Sequence, residues 1–408
     1  MQIIEGGVTA AKGFKAAGMA AGIKYKNGKK DMAMVVSDKP CVTAGTFTLN
    51  RVFAAPVKWD KNIVYNEAYA QAIVVNSGVA NACTGVEGDE ACALEAKTAG
   101  EALGIPADAV LLGSTGVIGM QLPMDRMCAG IKALPELLDY TKEAGTLAAE
   151  AIMTTDTVKK QWAVETVLDG KKVTIGGIAK GSGMIHINMG TTLSFVTTDA
   201  AISSEMLKSA LIEAADVSYN MVSVDGDTST NDTLAIMASG YAGNKEITEK
   251  NDDYKTFTAV LTDAFKKVAK KLAKDGEGAT KLLICKVDGA KDDKSAKIIS
   301  KSIICSSLVK AAMFGADANC GRILCAIGYS GAETDVKRID VSYKSAKGEI
   351  LVCKDGNGLV FDEDKAKEIL LEDEIEILVK LGDGNASAEA YGCDLTYDYV
   401  KINGDYRT

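Results

Sequence analysis

Apolar positions change period several times along the chain, and each change predicts an element. Residues 70–76, AQAIVVN, form a short apolar run that ends in the loop SGVANACTG. Residues 89–103 then carry alanine and leucine at helical spacing behind acidic starters, so the order is strand, loop, helix. It returns at 109–132, where AVLLG leads through STGVIG into an apolar-periodic stretch containing Met127 and Ile131. This predicts a strand and a glycine-containing turn that opens a helix, exposing backbone N–H groups.

Further along, apolar or β-branched stretches at 163–168 and 172–179 flank Asp169-Gly170, a type I′ hairpin signal. Ser203 or Ser204 caps a helix through about Val217, with Glu205 near its first turn. The segment MVSVDGDTSTNDTLAIMASG reads as a polar loop between apolar strands. An amphipathic helix at about 254–274 ends at Gly276, and DGEGATK turns into the strand LLICKV. Charged AKDDKSAK suggests a boundary near 288–297. Beyond it the pattern gives a helix at about 298–314, a strand at 322–328, and hairpins around Lys347-Gly348 and Asp355-Gly356.

Composition narrows the class. The 408 residues are 47% apolar and 25% charged, typical of a folded, water-soluble protein of two or three domains, or of one elaborate α/β domain with an appendage. Net charge is −9, which gives no general attraction to nucleic acid or anionic membranes. The most basic stretch, FKKVAKKLAK at 265–274, places Phe265, Val268, Ala269 and Leu272 at helical spacing and reads as a solvated helix face. No run approaches the ~18 apolar residues of a membrane span, and the opening lacks a leader pattern, so the expectation is cytoplasmic. Ten cysteines without a CxxC pair and a single histidine, His186, favour reduced thiols over disulfides or structural zinc. All five prolines lie in the first third, which leaves turns elsewhere to glycine.

Chemistry must therefore run largely on groups other than histidine. No Walker A sequence occurs, and GSTGVIG has the wrong spacing for a dinucleotide fingerprint. The loop VDGDTSTND holds Asp225, Asp227 and Asp232 among hydroxyls, but a hydrogen-bonded turn suits it better than a cation site. KGSGMIHINMGTTL, 180–193, is more informative. It is either a buried loop between strands or an autoproteolytic junction at Gly190-Thr191. A threonine that becomes a chain N-terminus carries its own base, the α-amine. Glycine before it tolerates a twisted scissile peptide while the hydroxyl attacks its carbonyl.

With STGVIG, TTDT at 154–157, SVDGDTSTND at 223–232, GEGATK at 276–281 and FGADANCGRI at 314–323, this segment resembles the ornithine acetyltransferase family, the glutamate N-acetyltransferases of arginine biosynthesis. These motifs span nearly the whole chain in the family's order. The resemblance implies an α/β fold, a layered sandwich of sheets between helices of N-terminal-nucleophile type. It also implies a catalytic domain at 1–284, a smaller C-terminal domain at 285–408, and cleavage into chains 1–190 and 191–408. Implied too is a ping-pong transfer of acetyl from N-acetylornithine to glutamate, releasing ornithine and N-acetylglutamate. The two chains would stay together, assembling into a heterotetramer. No metal or nucleotide cofactor is implied, although acetyl-CoA is a possible second donor.

By the same resemblance Thr191 is the nucleophile, Thr115 and Gly116 form the oxyanion hole, and Thr154, Lys180, Thr191, Glu277, Asn403 and Thr408 contact substrate. Lys180 suits a substrate carboxylate or lowers the pKa of the Thr191 amine, and Glu277 suits an ornithine ammonium. The chain departs from the family at Lys159 and Ile187, where proline is usual, at Gly190, where alanine is, and at Cys320, where tryptophan is. His186 reads as a bystander. The rival readings are an N-terminal-nucleophile aminopeptidase or amidase, with water as acyl acceptor, and a non-catalytic binding protein whose 180–193 loop is merely structural.

Overall fold

The computed structural model describes residues 1–24, 27–186 and 192–405. The first part of the chain runs β1 (Gln2–Ile4), β2 (Phe14–Met19), β3 (Met32–Phe47), α1 (Ala55–Asn62), β4 (Tyr69–Val79), α2 (Gly85–Leu103), β5 (Val110–Val117), α3 (Met124–Ala133) and α4 (Lys142–Ala151). It continues through β6 (Lys160–Leu168), β7 (Lys171–Lys180), β8 (Leu193–Thr198), α5 (Ser204–Asp216), β9 (Thr233–Ala238) and α6 (Asp252–Lys274). The rest is β10 (Leu282–Ala290), α7 (Asp293–Cys305), α8 (Ser307–Phe314), α9 (Cys320–Gly328), β11 (Asp340–Ser345), β12 (Gly348–Lys354), β13 (Asn357–Gly358), α10 (Glu363–Leu370), β14 (Glu374–Lys380), β15 (Ala386–Cys393) and α11 (Tyr397–Asp405).

Strands β1 to β9 form one sheet in the order β1-β6-β7-β8-β9-β3-β4-β5, with β2 added on β3. β3 joins its two halves. Its first residues pair with β2 and β4, its last six with β9, and the register shifts between Val36 and Cys41. Pro40, which has no N–H to give a ladder, lies in that irregular stretch.

Side-chain alternation then sets the layers. Val35, Ile73, Val75, Leu111, Ile178, Phe195, Ala235 and Met237 point into a core between the two halves of the folded-over sheet. Their neighbours Met34, Val74, Val110 and Leu112 face α2 and α3 on one outside, and Ile175, Val196, Leu234 and Ile236 face α5 and α6 on the other. The layered α/β sandwich expected from the resemblance is thus built from period-2 strands whose faces are both covered.

The second sheet has the order β13-β12-β11-β14-β10-β15, β10 lying parallel to β14 and antiparallel to β15. Helix α6 contacts both sheets through β6 and β15, burying Phe257, Leu261, Phe265, Val268 and Leu272. The sequence 265–274 is therefore an amphipathic face, as its spacing predicts. Among the described residues no helix is long and apolar enough to cross a membrane.

Several expectations hold in detail. Asp169 and Gly170 have φ of 49° and 69°, the left-handed pair a type I′ turn needs. Ser203 caps α5 by accepting the Met206 N–H at 3.4 Å. Others change. Residues 322–328, expected as a strand, lie in α9: a short apolar run does not by itself separate strand from helix, and the Asn319 side chain accepts the Arg322 N–H to start one. The helix expected at 298–314 is two, divided where Ser306 ends α7 and caps α8. Nor does STGVIG open a helix. β5 continues through Ser114, Thr115 and Gly116, and α3 begins only after Pro123.

Candidate active site

Strand ends converge at one rim of the sandwich. β5 carries Thr115 and Gly116 just before its end at Val117, β7 ends at Lys180, and β8 enters beside it, Leu193 pairing with Lys180 and, on its other side, with Thr233 of β9. A cleft of about 260 Å³ opens there, lined by Thr115, Gly116, Thr154, Lys180, Glu277 and Asn403 among others. Segments far apart in sequence thus meet around one space. The remaining candidates, Gly190, Thr191 and Thr408, lie outside the described residues. Thr192 is described, and it packs against Gly181, where an added Cβ would come within 2.8 Å of it.

Backbone geometry explains Gly116. Its φ is +131°, and a Cβ there would lie 2.2 Å from the Gly78 carbonyl carbon, so two glycines let β4 and β5 touch. Adjacent Thr115 accepts a hydrogen bond from Lys180 Nζ at 3.1 Å. Asn231 braces this tip, donating to Ala80 O at 2.6 Å and Ser114 O at 2.7 Å. Nothing in the sequence pattern marked Asn231 beyond its place in SVDGDTSTND.

Lys180 is buried, and burial pushes its ammonium below the usual lysine range. Asp156 opposes that push, Lys160 adds to it, and Asp232 and Glu277 oppose it. Burial alone would raise the Asp156 carboxyl, but Lys180 and Lys160 and the Gly181 N–H bring it below its usual range. Asp156 Oδ1 accepts from Gly181 N and Lys160 Nζ, both at 2.6 Å, and its other oxygen takes the Thr154 N–H at 3.1 Å. Lys160 also pairs with Asp275, which receives the Thr157 hydroxyl and N–H. TTDT therefore folds around an acid that holds both Thr154 and the end of β7, a role its sequence does not announce.

Glu277 follows α6, its N–H bonded to Ser182 O at 2.8 Å, and its carboxylate accepts from Asn403 Nδ2 of α11 at 2.9 Å. Gly183 lies against that carboxylate: a Cβ there would come 2.3 Å from Glu277 Oε2, so a side chain at 183 would displace the Glu277 carboxylate from this position. Upstream of the junction, Asp225 takes the Met184 and Ile185 N–H groups at 2.6 and 2.9 Å, which makes it a turn acid. His186 contacts Ser223 and Cys305, and burial lowers it to about 4. All ten cysteines are free thiols. Among the described residues no cluster of three or more His, Cys, Asp or Glu side chains is arranged to hold a metal.

The arrangement can polarise a carbonyl at Thr115 and Gly116 while Lys180 and Glu277 offer opposite charges to a zwitterionic substrate. A model of the ArgJ family matches residues 15–408. This chain belongs to the ArgJ family. It is 52% identical over 396 residues to the arginine biosynthesis bifunctional protein ArgJ of Clostridium acetobutylicum, covering 97% of this chain and 96% of that relative. Against the ArgJ protein of the same description from Bacillus subtilis it is 45% identical over 405 residues, covering 99% and 97%. A crystal structure of the ArgJ protein of Bacillus halodurans matches with a TM-score of 0.50 and 46% identity, covering 52% of this chain and 98% of that one.

Proposed function

We propose that this ArgJ chain is a glutamate N-acetyltransferase of arginine biosynthesis that moves acetyl from N-acetylornithine to glutamate through an acetyl-Thr191 ester. The observation that carries the reading is the cleft itself, where Thr115, Gly116, Lys180 and Glu277 converge beside the start of β8, a few residues after Gly190-Thr191. The Bacillus halodurans chain supports cleavage there. It is matched over 98% of its own length yet spans 52% of this chain, close to the share that lies beyond Gly190.

In this mechanism the Thr191 hydroxyl first attacks the Gly190 carbonyl in an N-to-O shift that breaks the peptide bond and frees the α-amine, and water then hydrolyses the ester to release the Gly190 carboxylate and the Thr191 hydroxyl. That amine then takes the hydroxyl proton as Thr191 attacks the acetyl carbonyl of N-acetylornithine. The oxyanion is met by the Gly116 N–H and the Thr115 hydroxyl. Thr115 Oγ1 accepts from Lys180, so its own O–H is left to donate elsewhere. Glu277, held by Asn403, pairs with an ornithine ammonium; Thr154 and Thr408 complete the substrate contacts. Ornithine leaves with the amine's proton, glutamate enters with a carboxylate on Lys180, and its amine takes the acetyl group. Water must stay badly aligned throughout, or the ester is lost as acetate.

The same site accepting acetyl-CoA would add a second activity, and the relatives are named bifunctional. The cleaved chains are proposed to assemble as a heterotetramer. Intact mass tests the first step: wild type gives two chains split at Gly190-Thr191, and Thr191→Ala one inactive chain. Processed enzyme with N-acetylornithine alone should release a burst of ornithine near one equivalent and then wait for glutamate. Rapid steady acetate release without glutamate would replace transferase by amidase.

A further inference from the structure

Beneath the cleft lies a charge cluster that the transfer steps leave unused. The Lys160 side chain is fully buried, its Nζ 2.6 Å from Asp156 and 2.5 Å from Asp275. A buried ion pair is poor value as packing, since apolar side chains of the same volume hold a fold as well or better. Its placement gives it another use. Asp156 holds the Thr154 N–H and, through Gly181, the residue after Lys180. Asp275 lies two residues before Glu277 and holds Thr157.

We propose that Lys160 is a positioning residue of acetyl transfer, joining the three cleft-lining segments and keeping Asp156 from neutralising Lys180. This rests on the reading that Lys180 receives the glutamate carboxylate. Among the described residues, the charges that face Lys180 come from four places: Asp156 after α4, Lys160 on β6, Asp232 before β9 and Glu277 after α6. Thr115 on β5 supplies a neutral oxygen. Asp156 stands between two lysines, and what Lys160 takes of its charge is withheld from Lys180. Asp275 in turn takes part of the charge of Lys160. Lys160 and Asp275 therefore act on Lys180 with opposite sign, although neither touches substrate.

The test is the alkaline limb of kcat/KM for glutamate, measured on processed enzyme, where loss of the Lys180 proton ends carboxylate binding. Lys160→Met leaves Asp156 wholly to Lys180 and should move the limb up by about one pH unit. Asp275→Asn leaves Lys160 less compensated and should move it down. Lys160→Arg, which keeps the charge, should stay near wild type even with a lower melting temperature. A purely structural role would weaken all three without shifts of opposite sign. Unchanged limbs in Lys160→Met and Asp275→Asn overturn the proposal. If Lys160→Met fails to fold, Asp275→Asn decides alone. Wild type that never acetylates glutamate would instead overturn the underlying function, whatever the variants do.

Discussion

Thr115 shows how far a single side chain can be read. Its hydroxyl sits at a strand end, fixed from one side by Lys180 and from beneath by the glycine pair that brings β4 against β5. Losing one oxyanion donor costs ~3 kcal/mol in the transition state. Thr115→Ala should therefore lower kcat by two to three orders of magnitude with KM little changed, read in steady-state kinetics. A normal kcat with a raised KM would make Thr115 a ground-state contact instead. The residue types of the site were legible because they come in long ordered motifs. Their supports were not: Asn231 reaches Ala80 and Ser114, and Asp275 reaches Lys160, partners 115 or more residues away, a separation no local pattern encodes.

At the scale of elements, period and capping carried most of the information. β4, α2, β7, α5 and α6 follow from alternation, helical spacing and a Ser or acidic start, because each buries a face that its own sequence defines. Failures came where tertiary contact overrides local signal. Gly116 reads as a turn residue, yet it extends β5 because Gly78 gives it room. Helix α2 also hides an acid. Glu95 is buried against α1, where Asp60 accepts the Leu112 N–H at 2.8 Å, and burial raises Glu95 to about 8. Protons bind it more tightly in the folded state, so its contribution to stability falls as pH rises from about 4.5 to about 8. Glu95→Gln should gain on wild type by roughly 1 kcal/mol per pH unit across that window, measured by urea unfolding at pH 5 and pH 8. A constant difference would show that Glu95 carries no burial penalty.

For the whole molecule, strand order matters more than any one contact. β8 and β9 lie between β7 and β3, so residues beyond the proposed cut fill the middle of a sheet made otherwise from residues before it. Six residue pairs join β7 to β8 and six join β9 to β3. Cleaved protein should accordingly run as one species in native sizing and unfold in urea in a single transition. Separation of the two chains without denaturant would contradict this. The interleaving also constrains how the protein can be made. While the chain is continuous, its own tether supplies the missing strands at millimolar effective concentration. Two halves made apart would each wait at cellular concentrations with bare edges on β3 and β7, which invite pairing with the wrong chain. Co-expressed halves should then aggregate where the intact gene product folds, and the cut becomes a late event that a finished sheet performs on itself.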